Sequence, residues 1–186
     1  MILYWLISYL AGNLMTAWWI GKWKKVNLQQ ENSGNLGARN AGAVLGKPAF
    51  FLTFFGDALK GAIIIAVGDG MHFSDWIIAI GGFLVIFGHL FPFWLKGKGG
   101  KGISTFIGAG LIYDPLLFSL FVIGVAATIP FLKSATLSMV AGYIVYSGGI
   151  IGFGHYPALP FIAAIICILL LHKENLKESL ETLRST

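Results

Sequence analysis

The chain has 186 residues, of which 56% are hydrophobic and only 11% charged, and its mean hydropathy is +0.78. A soluble domain carries about 25% charged residues, so this composition excludes one and points to a chain that uses hydrocarbon as its solvent. The net charge of +5 raises nucleic acid as a partner, but the basic residues gather in loops between apolar runs, where membrane lipid is the nearer partner and no nucleic acid is expected.

About 20 apolar residues cross a hydrocarbon core of about 30 Å. The first candidate span is 2–21. No basic residue precedes it and Lys22, Trp23, Lys24 and Lys25 follow, so it reads as a retained anchor that starts outside, not as a cleaved signal. The loop 22–47 comes next, with Asn-Ser-Gly-Asn-Leu-Gly-Ala-Arg-Asn-Ala-Gly at 32–42. Loops this long in a compact protein are usually functional. Ser33, Asn35, Arg39 and Asn40 can donate hydrogen bonds, and Arg39 can hold an oxyanion through two parallel N–H groups. The plainer reading is a solvated turn in which Ser33 or Asn35 caps a short helix.

The second candidate span, 48–68, carries Asp57 and Lys60. A charge at a helix centre costs roughly 2.5 to 3.5 kcal/mol on insertion scales, so each needs a partner or a use. At i and i+3 the two share a face and can pair. An ion pair locking helices around a polar loop and a direct substrate contact by Lys60 both fit. The third span, 75–95, ends in Gly-His-Leu-Phe-Pro-Phe-Trp. His89 is either a satisfied buried donor or, about two turns before Lys96, a group that points at a phosphate or takes a proton from a hydroxyl.

Residues 96–104, Lys-Gly-Lys-Gly-Gly-Lys-Gly-Ile-Ser, are the most informative. Lys96, Lys98 and Lys101 supply charge. Gly97, Gly99, Gly100 and Gly102 let successive backbone N–H groups turn toward one centre, and the helix that follows adds its positive dipole end. This is a phosphate pocket at a membrane surface. Further spans are expected at 103–113, 116–132, 136–153 and 156–172. The first of these is short enough that six spans with one re-entrant piece stand beside seven. In the tail, 173–186, Leu176, Leu180 and Leu183 recur at i, i+4 and i+7, which predicts an amphipathic helix flat on the inner leaflet.

With the N-terminus outside, seven spans put every Lys and Arg except Lys60 in the cytoplasmic segments, while Asp69, Asp75 and Asp114 flank the opposite loops. That asymmetry is the positive-inside rule. The expected fold is therefore all-α: a polytopic bundle of seven transmembrane helices in one domain, 1–186, with a cytoplasmic C-terminus. His72 and His155 fall on the outer side. Cys167 stands alone and no Cys/His spacing suits a metal. Gly97, Gly99 and Gly102 satisfy G-x-G-x-x-G but follow a membrane span where a dinucleotide site needs a strand. Lys101 is followed by Gly102, not by the Ser or Thr of a Walker A loop. No cofactor or metal is expected.

Taken together, Ser33-Gly34-Asn35-Leu36-Gly37-Ala38 with Asn40, Gly56-Asp57-Ala58-Leu59-Lys60-Gly61, Gly88-His89 with Pro92, Gly99-Gly100-Lys101-Gly102 and His172-Lys173-Glu174-Asn175-Leu176 resemble the bacterial membrane glycerol-3-phosphate acyltransferases of the PlsY type. The resemblance covers nearly the whole chain. It implies a seven-helix inner-membrane fold with a cytoplasmic active site, acyl phosphate and glycerol 3-phosphate as substrates, and transfer of the acyl group to the 1-hydroxyl to give lysophosphatidic acid. By the same resemblance Ser33, Lys101, Ser138, His172 and Asn175 line the substrate pocket. Ser33, His89 and Lys101 are the expected catalytic group, and Asn35, Arg39, Asn40, Lys60, Lys98 and the loop glycines the expected substrate ligands.

The chain departs from the family pattern at Ala43, where a phosphate-binding arginine is usual, and at Arg39, commonly threonine. On a helix these positions are four apart and face the same way, so Arg39 is expected to supply the guanidinium from one turn earlier. The run Ser134-Ala135-Thr136-Leu137-Ser138 and Glu178 depart as well. They leave open a paralogue with another phosphorylated acceptor. A transporter of lipids or organic anions is the reading from a different class, and would need access from both faces.

Overall fold

The computed structural model describes residues 1–184 and is all-helical among them. The helices are α1 Ile2–Gly12, α2 Thr16–Trp23, α3 Ala38–Leu45, α4 Lys47–Gly70, α5 Asp75–Leu90, α6 Ile103–Tyr113, α7 Pro115–Leu132, α8 Ala135–Gly152, α9 Leu159–Leu171 and α10 Lys173–Arg184. Short 3-10 turns follow α5 (Phe93–Leu95) and precede α9 (Tyr156–Ala158). The expected tail runs two residues past the described chain, so Ser185 and Thr186 lie outside it.

Among the described residues four helical segments are long and apolar enough to cross a membrane: Lys47–Gly70, Asp75–Leu95, Pro115–Leu132 and Ala135–Gly152. Tyr156–Leu171 and Lys173–Arg184, bent by 68°, qualify as a fifth when taken together. Large apolar side chains face outward, with Ile2 80%, Leu116 82% and Phe131 80% exposed. Water would not tolerate so much apolar surface, and lipid does.

The chain forms two compact units, Met1–Tyr113 and a second that begins at Asp114. In the first, α1 packs on α5, and α4 packs on α3, α5 and α6. Backbones approach closely where glycine permits: a Cβ on Gly108 would strike the Ala58 backbone, and one on Gly61 the Thr105 carbonyl.

The expected span 2–21 is not one continuous helix. It breaks at Asn13, Leu14 and Met15, where Asn13 Nδ2 donates to Tyr9 O at 2.6 Å and so competes with the helical pattern at that carbonyl. Partners elsewhere hold the break open. Lys60 Nζ donates to Gly12 O at 3.0 Å and Leu14 O at 2.7 Å, Trp94 Nε1 donates to Asn13 O at 3.1 Å, and Asn13 Oδ1 accepts from Phe93 N at 2.9 Å. Irregular backbone inside hydrocarbon survives only with such partners. α6 is also short, with 11 residues.

In the second unit α7 and α8 form an antiparallel pair. Asp114 caps α7 by accepting from Leu117 N at 2.9 Å, ahead of Pro115 in the first turn, and Ser134 caps α8 through Leu137 N at 3.4 Å. Lys133, in the left-handed region at φ 46, makes the turn between them. α10 packs on α8 and α9.

Candidate active site

Two loops meet in the first unit. Leu36 N donates to Gly99 O at 3.4 Å and Gln29 Nε2 to Lys98 O at 3.2 Å, which brings the Ser33–Leu36 segment against the lysine-glycine loop. Asn40 builds the first loop from below. Buried at 1% exposure, it donates through Nδ2 to Leu28 O at 3.0 Å, while its Oδ1 accepts from Asn32 Nδ2 at 3.0 Å and Ser33 N at 3.2 Å. The Asn40 amide, expected on substrate, is thus occupied in shaping the loop that presents Ser33. Ser33 is exposed and Asn35 half-buried. Arg39 and Ala43 are both exposed on α3, four residues apart, so they share a face.

The lysine-glycine loop turns back on the end of α5. Gly97 N donates to Pro92 O at 3.0 Å, Lys98 N to Leu95 O at 3.1 Å, Gly99 N to Leu90 O at 3.2 Å and Gly100 N to His89 O at 3.1 Å. The amides of Gly97, Gly99 and Gly100 therefore do not converge on one centre, as the sequence suggested. A helix end leaves its last carbonyls without partners, and the amides of Gly99 and Gly100 satisfy two of them, while that of Gly97 closes a turn on Pro92. The unpaired donors lie further on. Gly102, at φ +82, turns the chain into α6, and its carbonyl accepts from Phe106 N at 2.9 Å. The amides of Ile103, Ser104 and Thr105, in the first turn of α6, then lack an acceptor in their own helix and form its positive dipole end, the kind of place where anions bind. Lys98 is exposed beside this turn and Lys101 half-buried just before it.

Beneath the loop lies a buried polar cluster. Lys60 Nζ sits 3.0 Å from Asp57 Oδ1 and 2.9 Å from His89 Nδ1, besides the two carbonyls of the broken first helix. Thr16 Oγ1 donates to Asp57 Oδ1 at 3.0 Å, and His89 Nδ1 lies 3.8 Å from the same oxygen. Asp57, Lys60 and His89 are 1%, 7% and 2% exposed. With four partners for three protons, the Lys60 ammonium has none left for a substrate, so the locking ion pair is the role its geometry serves. The His89 ring lies directly under Gly100, where a Cβ would overlap Nε2.

Sequence reasoning missed Asn13, Thr16 and Gln29, which tie these parts together. The one signal was Asn13, a polar residue inside an apolar run. The expected residues of the second unit are Ser138 on α8, His172 after α9 and Asn175 on α10. Ser138 Oγ is buried with no hydrogen-bond partner among the described residues, and His172 Nδ1 lies 2.8 Å from Ile168 O, which fixes its ring. Among the described residues no group of three His, Cys, Asp or Glu side chains could hold a metal ion.

The fold and site define an integral membrane protein in which polar, donor-rich loops gather at the start of a short helix. Residues 2–182 match the family model described as glycerol-3-phosphate acyltransferase, and the chain belongs to that family. Glycerol-3-phosphate acyltransferase 1 of Bacillus cereus is 46% identical over 116 residues, 62% of this chain and 64% of that protein. The chain thus spans a little under two thirds of the length of that relative. The glycerol-3-phosphate acyltransferase of Streptococcus thermophilus is 34% identical over 185 residues, 92% of this chain and 85% of that protein. Among solved structures, PlsY (YgiH), an integral membrane glycerol 3-phosphate acyltransferase in its glycerol 3-phosphate form, superposes with a TM-score of 0.88 at 26% identity, over 97% of this chain and 92% of that one. Its lysophosphatidic acid form superposes at 0.83.

Proposed function

We propose that the protein transfers a fatty acyl group from acyl phosphate to the 1-hydroxyl of sn-glycerol 3-phosphate, releasing lysophosphatidic acid and inorganic phosphate. The observation that carries this reading is the meeting of the Ser33 and Lys101 loops at the start of α6 in a chain of this family. The donor is a mixed anhydride and needs no enzyme nucleophile. The hydroxyl oxygen attacks the carbonyl carbon, the bond from that carbon to the phosphate oxygen breaks, and the hydroxyl proton passes to a phosphate oxygen. Catalysis then rests on orientation and on stabilising charge at the carbonyl oxygen and departing phosphate. Lys101 and the first-turn amides of α6 supply that charge, Lys98 draws the anion in, and Ser33 and Asn35 orient the acceptor. Arg39 takes the acceptor phosphate in place of the arginine absent at Ala43. Ser138, His172 and Asn175 act as further substrate ligands, as the family resemblance implies.

The membrane arrangement belongs to the same proposal. Broken α1–α2, then α4, α5, α6, α7, α8 and α9, make seven crossings, with the N-terminus outside and α10 on the cytoplasmic leaflet. Lys22 over the Trp18 ring at 5.2 Å and Lys24 over Trp23 at 4.9 Å support this orientation, since tryptophan marks a membrane interface and an excess of lysine its cytoplasmic side.

The test is purified protein with acyl phosphate and labelled glycerol 3-phosphate. Labelled lysophosphatidic acid should appear with the wild type and fall at least hundredfold with Lys101→Ala or Ser33→Ala. Phosphate release without labelled product would assign a different acceptor.

A further inference from the structure

Resting on the site just proposed, the geometry points to Lys60 as a positioning residue that acts through His89: it holds the imidazole with Nδ1 as acceptor and Nε2–H presented to the loop at Gly100. An ammonium has no lone pair, so at 2.9 Å its contact with Nδ1 requires the ring nitrogen to accept. A neutral imidazole that accepts at Nδ1 carries its proton on Nε2. That nitrogen lies under Gly100, in the loop that leads into α6.

Lys60 is itself held from three sides. Asp57 Oδ1 fixes its charge at 3.0 Å, and the Gly12 and Leu14 carbonyls, freed by the break in the first helix, lie at 3.0 and 2.7 Å, so that its three protons are shared among these oxygens and Nδ1. Thr16, just after that break, donates to the same Asp57 oxygen. The break is therefore connected to the histidine: continuous helix at 12–15 would withdraw both carbonyls, and the ammonium would lose the geometry that selects the tautomer. On this account the charged pair and the interrupted helix serve one end, a single orientation and a single proton position on His89. The ring enters the site as a hydrogen-bond donor.

Ring-15N-histidine labelling of the full chain in lipid nanodiscs tests the tautomer directly. Of the four histidines, His89 is identified by the signals lost in His89→Gln. In the wild type, His89 is expected protonated on Nε2 and unprotonated on Nδ1. The double variant Asp57→Asn with Lys60→Met removes the pair without leaving a lone buried charge. It should give a mixed or Nδ1-protonated ring and a kcat at least tenfold lower, with KM for acyl phosphate within about twofold. A wild-type His89 protonated on Nδ1 overturns the inference, and the spectrum decides that without any variant. An unchanged tautomer in a folded double variant overturns the part given to Lys60. A wild type with the expected tautomer and no acyl transfer would instead count against the proposed reaction alone.

Discussion

Replacing Gly100 by alanine separates a loop that merely turns from one that must lie flat on the His89 ring. The added methyl would fall on His89, 2.6 Å from Cε1 and 3.1 Å from Cδ2, and harder still against Nε2. Carbon atoms rest at about 3.5–4.0 Å, so ring or loop must shift by about 1 Å. The ring is buried and tied at Nδ1 to Lys60. The loop is tied through Gly99 N and Gly100 N to the end of α5. Overpacking of this kind costs about 1–3 kcal/mol, and a displacement of 1 Å in a reacting site about a hundredfold in rate. We expect Gly100→Ala to lower kcat about a hundredfold and the melting temperature by about 2–4 °C per kcal/mol lost, read from labelled product formation and from thermal unfolding in detergent. Gly97→Ala is the control. A Cβ there meets nothing within 4 Å and carries only the strain of φ +73, about 1–2 kcal/mol, so its rate should stay within a few fold. In a His89→Ala background the stability penalty of Gly100→Ala should largely vanish, because the atoms it strikes are gone. Wild-type turnover and melting temperature in Gly100→Ala would refute the reasoning.

Lys60→Met alone should destabilise the protein by about 3–5 kcal/mol by leaving Asp57 charged and buried, whereas adding Asp57→Asn should restore most of the loss; urea or thermal unfolding of the three variants compares them. Asn40→Ala removes the hydrogen bonds to Leu28, Asn32 and Ser33 and should cost about 1–3 kcal/mol, with a higher KM for the acceptor as Ser33 loosens. Arg39→Ala should raise the acceptor KM about tenfold or more, as loss of a charged hydrogen bond worth about 1.5–3 kcal/mol requires. Adding Ala43→Arg should bring it back, and saturation curves in glycerol 3-phosphate measure both.

Much of the second unit could be read from the chain. Its apolar runs have span length, and Asp114-Pro115 and Ser134 mark helix starts, so α7 and α8 begin within one residue of the expected positions. The pairing of Asp57 with Lys60 was legible from their spacing as well. The break at 13–15 was not. Its main partner, Lys60, lies 46 residues beyond Leu14, and local hydropathy carries no trace of so distant a contact. The glycine loop was half legible. Glycine announces that something approaches the backbone closely, but not what does: composition suggested an anion, while at Gly99 and Gly100 the near neighbours are the end of α5 and the His89 ring. Asn40 shows the same limit, since a polar residue beside a binding loop looks alike from sequence whether it faces the ligand or the loop.

The length of α6 sets a meeting depth. Eleven residues rise only about 16 Å at 1.5 Å per residue, roughly half of a hydrocarbon layer of about 30 Å. With its C-terminal end at one surface, as the seven-crossing reading has it, its first amides lie near the middle of the slab. In the proposed reaction, a charged acceptor arriving from water on one side and a fatty tail sliding in from the surrounding lipid would both reach that level without either having to traverse the barrier.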